Sequence, residues 1–302
     1  MSGIIETAAW QDEYPFESHR LELDGHSYHY LDEGQGLPVV MVHGNPTWSF
    51  YWRHLVTKLS GRYRAIAVDH IGCGLSDKPA AARFRLIDHA ANLSNLIRQL
   101  KLEQVTLVVH DWGGPIGLTA ALDNPDRIAR LVILNTGAFP PPAIPLRIRL
   151  CRIPGIGPFM MRRPNLFARL ALTMAMHRNK LSPLARAGLL APYDCAANRR
   201  GIQQFVEDIP SSARHPSWEP LVRLQNELPT LDHLPTSIIW GMRDWCFTSR
   251  CLEMIEQLLP SADVHRLEDV GHYVMEDACE QTTELISQFL ADSDDRMTGG
   301  QE

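Results

Sequence analysis

Long apolar runs are missing from this 302-residue chain, and none approaches the roughly 20 residues needed to cross a bilayer. The N-terminal residues lack the apolar core of a secretion signal and carry Glu6, Asp12 and Glu13 instead. Cysteine is sparse and unpatterned. Cys73, Cys151, Cys195, Cys246, Cys251 and Cys279 show neither metal-ligand spacing nor a compact disulfide framework. No Gly-rich phosphate loop and no metal-binding cluster occurs, so neither cofactor nor metal is expected. Positive charge is in deficit: the net charge is −6. No nucleic-acid motif accompanies the clusters Arg147/Arg149/Arg152 and Arg162/Arg163, which read as solvated faces or ion pairs within their own segment. These absences point to a cytoplasmic protein with reduced thiols and no nucleic-acid or membrane partner.

What is present alternates. Short apolar runs at 38–42, 64–68, 105–109, 131–134 and 237–240 read as buried strands, and residues 263–267 are strand-like. Residues 86–100 have helical periodicity, and residues 20–30 alternate about Asp24-Gly25 as a hairpin. Strands alternating with helices give an α/β fold, a mostly parallel sheet with helices on both faces. From Pro140-Pro141-Pro142 the composition turns rich in Pro, Arg, Leu and Met until about Asn226. The expected organisation is a main domain at 14–138 and 227–292, an inserted helical cap at 139–226, and a disordered polar tail at 293–302. Phe159, Met160, Met161, Phe167, Leu170, Met174 and Met176 are candidates either for an apolar access route or for packing the cap onto the main domain.

The most informative stretch is His110-Asp111-Trp112-Gly113-Gly114, between the apolar run 105–109 and a helix-like segment at 115–122. A strand, a tight Gly-rich turn and a helix present the central residue on a sharp elbow, where α/β hydrolases carry a nucleophile. Here that residue is Asp111. A carboxylate is ionised at neutral pH and can attack an electrophilic carbon to form an ester without a base. Taken alone, Asp111 could equally cap the following helix. Three further segments bear on the choice. His43-Gly44-Asn45-Pro46 follows a strand and can supply backbone N–H groups to an oxyanion hole. Residues 237–244 end in Asp244 after a strand. Val270-Gly271-His272 follows later still. The order of nucleophile, acid and histidine is that of an α/β-hydrolase triad.

These segments, together with HGNPTWS around Asn45, GMRDW, VGHY and the run from Val68 to Pro79, resemble the haloalkane dehalogenases across about residues 14–290. The likeness is to the subgroup whose acid follows the seventh strand, here Asp244. In another subgroup a Glu follows the sixth strand, and here Asn135 stands there, which cannot serve as the acid. The resemblance implies an α/β-hydrolase fold with Asp111, Asp244 and His272 as catalytic triad. It implies Asn45 and Trp112 as side-chain halide donors, and the backbone N–H groups of the same two residues as the oxyanion hole. It also extends to β-lactone decarboxylases of hydrocarbon biosynthesis, which use a very similar constellation.

The leading expectation is hydrolytic dehalogenation of haloalkanes through an alkyl ester on Asp111, cleaved by water that His272 activates. β-Lactone decarboxylation to an alkene and CO₂ ranks second. An epoxide hydrolase normally needs two cap tyrosines, and residues 140–225 contain only Tyr193. A fluoroacetate-type enzyme would carry Arg where Trp112 stands, and a serine esterase would need Ser at 111. A non-catalytic binding protein usually loses a triad member. The expected partners are water and a small apolar halogenated or lactone substrate, with a homo-oligomer open. Asp232 and Glu268 are weaker rivals of Asp244 as the acid.

Overall fold

Alternation within each central strand divides its side chains between two cores. In β3 (Pro38–Val42), Val40 and Val42 join one core while Val39 and Met41 join the other. β4 (Arg64–Val68), β5 (Val105–Asp111) and β6 (Ile128–Thr136) divide in the same way. The structure, a computed structural model, describes residues 9–299. Its sheet is completed by β1 (His19–Leu23), β2 (His26–Glu33), β7 (Thr236–Gly241) and β8 (Asp263–Leu267), in the order β1-β2-β4-β3-β5-β6-β7-β8. β3 to β8 run parallel; β1 and β2 are antiparallel at one edge. The β1–β2 turn sits at Asp24 and Gly25, both with positive φ (50° and 77°), the geometry that suits a two-residue hairpin.

Helices cover both faces. α1 (Arg53–Leu59) and the C-terminal helix pack on one core. On the other lie α2 (Leu86–Gln99), α3 (Gly113–Asp123) and α10 (Ser249–Leu258). The chain is thus an α/β protein whose strand C-termini gather at one end of the sheet, where sites in such folds are built. Between β6 and β7 run α4 (Leu146–Cys151), α5 (Ile156–Arg162), α6 (Leu166–Met174), α7 (Pro183–Leu190), α8 (Arg200–Asp208) and α9 (Trp218–Glu227). Ile148, Met161 and Val206 make a small apolar cluster there, separate from the two main cores. After β8 come α11 (Val274–Asp277) and α12 (Cys279–Gly299).

The tail departs from expectation. Instead of ending at 292, α12 continues to Gly299, and only residues 300–302 of the expected tail lie outside the described residues. The reason is a buried cation. Arg130 on β6 is fully buried and donates to Asp294 at 2.6 Å, while the Tyr63 hydroxyl donates to the same carboxylate at 2.7 Å. A buried guanidinium left without a carboxylate would be costly, so the last turns of α12 are held down. Among the described residues no helix is long and apolar enough to cross a membrane.

Candidate active site

β5 is buried along its whole length and ends on Asp111, whose φ of +53° makes the sharp turn into α3. Asp tolerates this left-handed region better than most side chains. Two glycines make room for it. A Cβ on Gly113 would lie 2.1 Å from the Val42 carbonyl oxygen, and one on Gly44 would lie 2.1 Å from Asp111 Oδ1. The Thr136 hydroxyl donates to the Asp111 carbonyl and holds the elbow against β6. Asp111 does not cap the helix: Trp112 is the N-cap residue, without a side-chain cap bond. The Asp111 carboxylate faces the site instead. Its Oδ1 accepts the Asn45 backbone N–H at 2.6 Å, and its Oδ2 lies 3.5 Å from His272 Nε2.

Asp244, just past β7, accepts the His272 Nδ1–H at 2.7 Å. Its other oxygen accepts the N–H groups of Cys246 (2.6 Å) and Phe247 (3.1 Å). The three candidate triad residues, far apart in sequence, are thus brought together and are all buried. The rivals lie elsewhere: Asp232 is bound to Ser261, and Glu268 is exposed.

Asn135 is the residue that sequence reasoning missed. It is the penultimate residue of β6, with a φ of +21°, and its amide donates to Asp244 Oδ2 at 3.0 Å and to the Gly241 carbonyl at 3.0 Å. Its Oδ1 accepts the Gly241 N–H at 2.7 Å. It therefore positions the acid. Its place at the end of β6, where the other subgroup holds a Glu, was the signal that could have found it.

Electrostatics makes the cluster an ion pair. Burial alone would lower the proton affinity of His272, but the Asp244 and Asp111 carboxylates prevail and push its pKa up to about 10. Burial would raise Asp111, yet its hydrogen bond to His272 and the charge on that ring hold it below the usual carboxylate range. Neighbouring His110 is pushed down to about 3 by burial and by the charge of His272. It stays neutral and donates its Nε2–H to the His272 carbonyl at 2.9 Å.

A cavity of about 110 Å³ opens over Asp111, with walls that include Asn45, Trp112, Phe139, Ile148 and Phe247. The Trp112 indole N–H has no hydrogen-bond partner among the described residues. The Asn45 amide donates one N–H to the Ile202 carbonyl at 3.2 Å; since that oxygen can only accept, it fixes which end of the amide is nitrogen. The wall decides against the access-route reading of the apolar cap residues. Prolines 141, 142, 145 and 210 line it. Met160, Met161, Phe167, Leu170 and Met174 line a separate groove of about 430 Å³. Phe159 is 58% exposed, and Met176 packs against a main core. The Tyr193 hydroxyl donates to the Thr47 carbonyl at 3.1 Å, away from this cavity, so it offers no acid for an epoxide. Among the described residues no group of three or more His, Cys, Asp or Glu could hold a metal ion.

Residues 38–278 match the family model for the alpha/beta hydrolase fold. The chain belongs to the α/β-hydrolase family. This α/β hydrolase is 40% identical to a cis-3-alkyl-4-alkyloxetan-2-one decarboxylase of Shewanella oneidensis, a match covering 94% of the chain and 91% of that protein. It is 32% identical to haloalkane dehalogenase 2 of Mycobacterium tuberculosis, over 90% of the chain and 94% of the relative. Among solved structures, a haloalkane dehalogenase of Agrobacterium tumefaciens superposes with a TM-score of 0.82 at 25% identity, covering 91% of this chain and 96% of that one.

Proposed function

We propose that this α/β hydrolase releases halide from haloalkanes by covalent catalysis on Asp111. One observation carries the reading: Trp112, whose indole N–H has no partner among the described residues, lines the same largely apolar cavity as the Asp111 carboxylate. An apolar wall suits an alkyl group, and a neutral donor suits a departing halide without binding it too tightly to leave.

Asp111 Oδ2 attacks the carbon that carries the halogen. The C–O bond forms as the carbon–halogen bond breaks, and the halide leaves toward the Trp112 N–H and the free N–H of the Asn45 amide. Such a donor contributes on the order of 3 kcal/mol to barrier lowering. The alkyl ester has lost the negative charge of Asp111, so the proton affinity of His272 falls, and the ring releases its proton to solvent and becomes a base. It takes a proton from water, whose oxygen attacks the ester carbonyl. Oδ1 becomes the oxyanion, held by the Asn45 backbone N–H at 2.6 Å and by the N–H of Trp112. Collapse breaks the C–O bond to the alkyl group, and the proton remaining on the added oxygen passes to the departing alkoxide. The alcohol leaves, Asp111 is restored as a carboxylate and His272 keeps the proton it took from water.

A second reading, β-lactone decarboxylation, is favoured by the 40% identity to the Shewanella enzyme. Asp111 Oδ2 would attack the saturated ring carbon bonded to the ring oxygen and break that C–O bond, so the ring opens to a free carboxylate with the alkyl chain esterified on Asp111. Loss of CO₂ then forms the alkene and expels Asp111. Water is not consumed.

The test is bromide release from 1,2-dibromoethane and 1-bromobutane by the wild type and by Asp111→Asn. Release that disappears in the variant is the expected result. A folded wild type that releases no bromide, yet forms alkene and CO₂ from a cis-3,4-dialkyl β-lactone, would overturn dehalogenation in favour of the second reading.

A further inference from the structure

Charge is unevenly distributed along the chain. Between Phe139 and Tyr193 there are nine basic residues and no Asp or Glu, in a protein whose net charge is −6. Arg149, Arg163 and Arg169 are exposed and form no ion pair among the described residues, whereas Arg162 donates to the Ala196 carbonyl at 3.1 Å and Arg147 lies over the Trp245 ring. The same segment carries the exposed apolar side chains. Leu146 (67% exposed), Ile156 (62%), Phe159 (58%) and Leu150 (54%) lie on α4 and α5, with Leu170 on α6; outside this segment, Ile87 is the other large exposed apolar residue among those described. α4 packs on α5 and α5 on α6. Leu150, Ile156 and Leu170 border one groove, and Leu146 lies one turn from Leu150 on α4 as Phe159 does from Ile156 on α5, so these exposed residues adjoin one another and are not scattered. A contiguous apolar patch on a folded protein marks a contact surface.

We propose that the α4–α6 face docks on a bilayer surface rich in anionic phospholipid. Ile156, Phe159, Leu146 and Leu150 enter the boundary between headgroups and acyl chains, and Arg149, Arg163 and Arg169 meet the phosphates. Charge selects this occupant over a second copy of the chain, because a two-fold contact through this face would set its arginines against themselves. The position also serves the site. Ile148 lies in the wall of both the groove and the Asp111 cavity, so a substrate dissolved in lipid arrives beside the catalytic cavity. The earlier expectation of no membrane partner, drawn from the lack of a spanning segment, does not extend to surface docking.

The experiment is flotation of the full chain with phosphatidylcholine vesicles, with and without phosphatidylglycerol at about one lipid in three. The wild type floats with the anionic vesicles and not with phosphatidylcholine alone. Flotation falls away near 1 M salt, where screening acts within about 3 Å. Removing one arginine weakens partition about fivefold, so Arg149→Gln with Arg163→Gln weakens it about 25-fold. Ile156→Ser with Phe159→Ser also abolishes flotation. Unchanged melting temperatures show that the variants fold. A wild type that ignores anionic vesicles would overturn the proposal, as would variants that float like it. So would a lipid-free dimer that Ile156→Ser with Phe159→Ser converts to monomer, which would assign the face to self-association.

Discussion

Replacing Asp111 by Asn imitates the uncharged ester while keeping the size of the side chain, and it should switch His272 from acid to base. Asp111 Oδ2 lies 3.5 Å from His272 Nε2. At an effective dielectric of about 20, a unit charge at that distance is worth about 5 kcal/mol, or about 3.5 pK units. The His272 midpoint, about 10 in the resting protein, should therefore fall to about 6.5 in Asp111→Asn. The assay is an NMR titration of the ring resonances of His272 in both proteins. Wild-type His272 should stay protonated through pH 8, and the variant should titrate near neutrality. Equal midpoints, or a neutral His272 in the wild type at pH 7, would refute the idea that alkylation of Asp111 prepares its own base.

Stability supplies a second readout of the same coupling. A folded-state pKa raised from 6.5 to about 10 stabilises the protein fully below pH 6.5, and that stabilisation is lost as the pH rises toward 10. The stability lost on Asp111→Asn should accordingly be larger at pH 6 than at pH 10. Thermal melts at the two pH values measure this, and a loss independent of pH would argue against the ion pair.

Trp112→Phe keeps the aromatic wall and removes one donor, so kcat for bromide release should fall about 100-fold with the melting temperature nearly unchanged. A loss confined to KM would mean that the indole packs against substrate without stabilising the leaving group. Asn135→Asp retains an acceptor for the Gly241 N–H, ends both donations, and sets a second carboxyl group about 3.0 Å from Asp244. Its kcat should fall about tenfold at unchanged KM, and its pH–rate profile should gain an ionisation. A wild-type profile would remove Asn135 from the positioning of Asp244.

What could be read from the sequence follows from how far apart in the chain the interacting groups lie. The elbow was legible because strand, turn residues and helix are contiguous, and the hairpin at Asp24-Gly25 because its turn needs two positive φ values. The tail was misread because composition does not show that Arg130, some 160 residues earlier, is buried and needs Asp294. The cavity wall was open between two readings for a similar reason. Pro141, Pro142, Pro145 and Pro210 meet Phe247 only after the helices between β6 and β7 fold back, whereas Met160, Met161 and Met174 turn to a groove of their own. Asn135 is the instructive case. Parallel pairing sets Leu134 beside Ile239, so the residues that follow at the ends of β6 and β7 emerge side by side. Asp244 just after β7 and the Asn135 amide near the end of β6 therefore meet, and Asp244 in turn holds the His272 imidazole. Asn135 is excluded as the acid by its chemistry, yet its register places it where it holds the acid in position, so the two strand ends have to be read together.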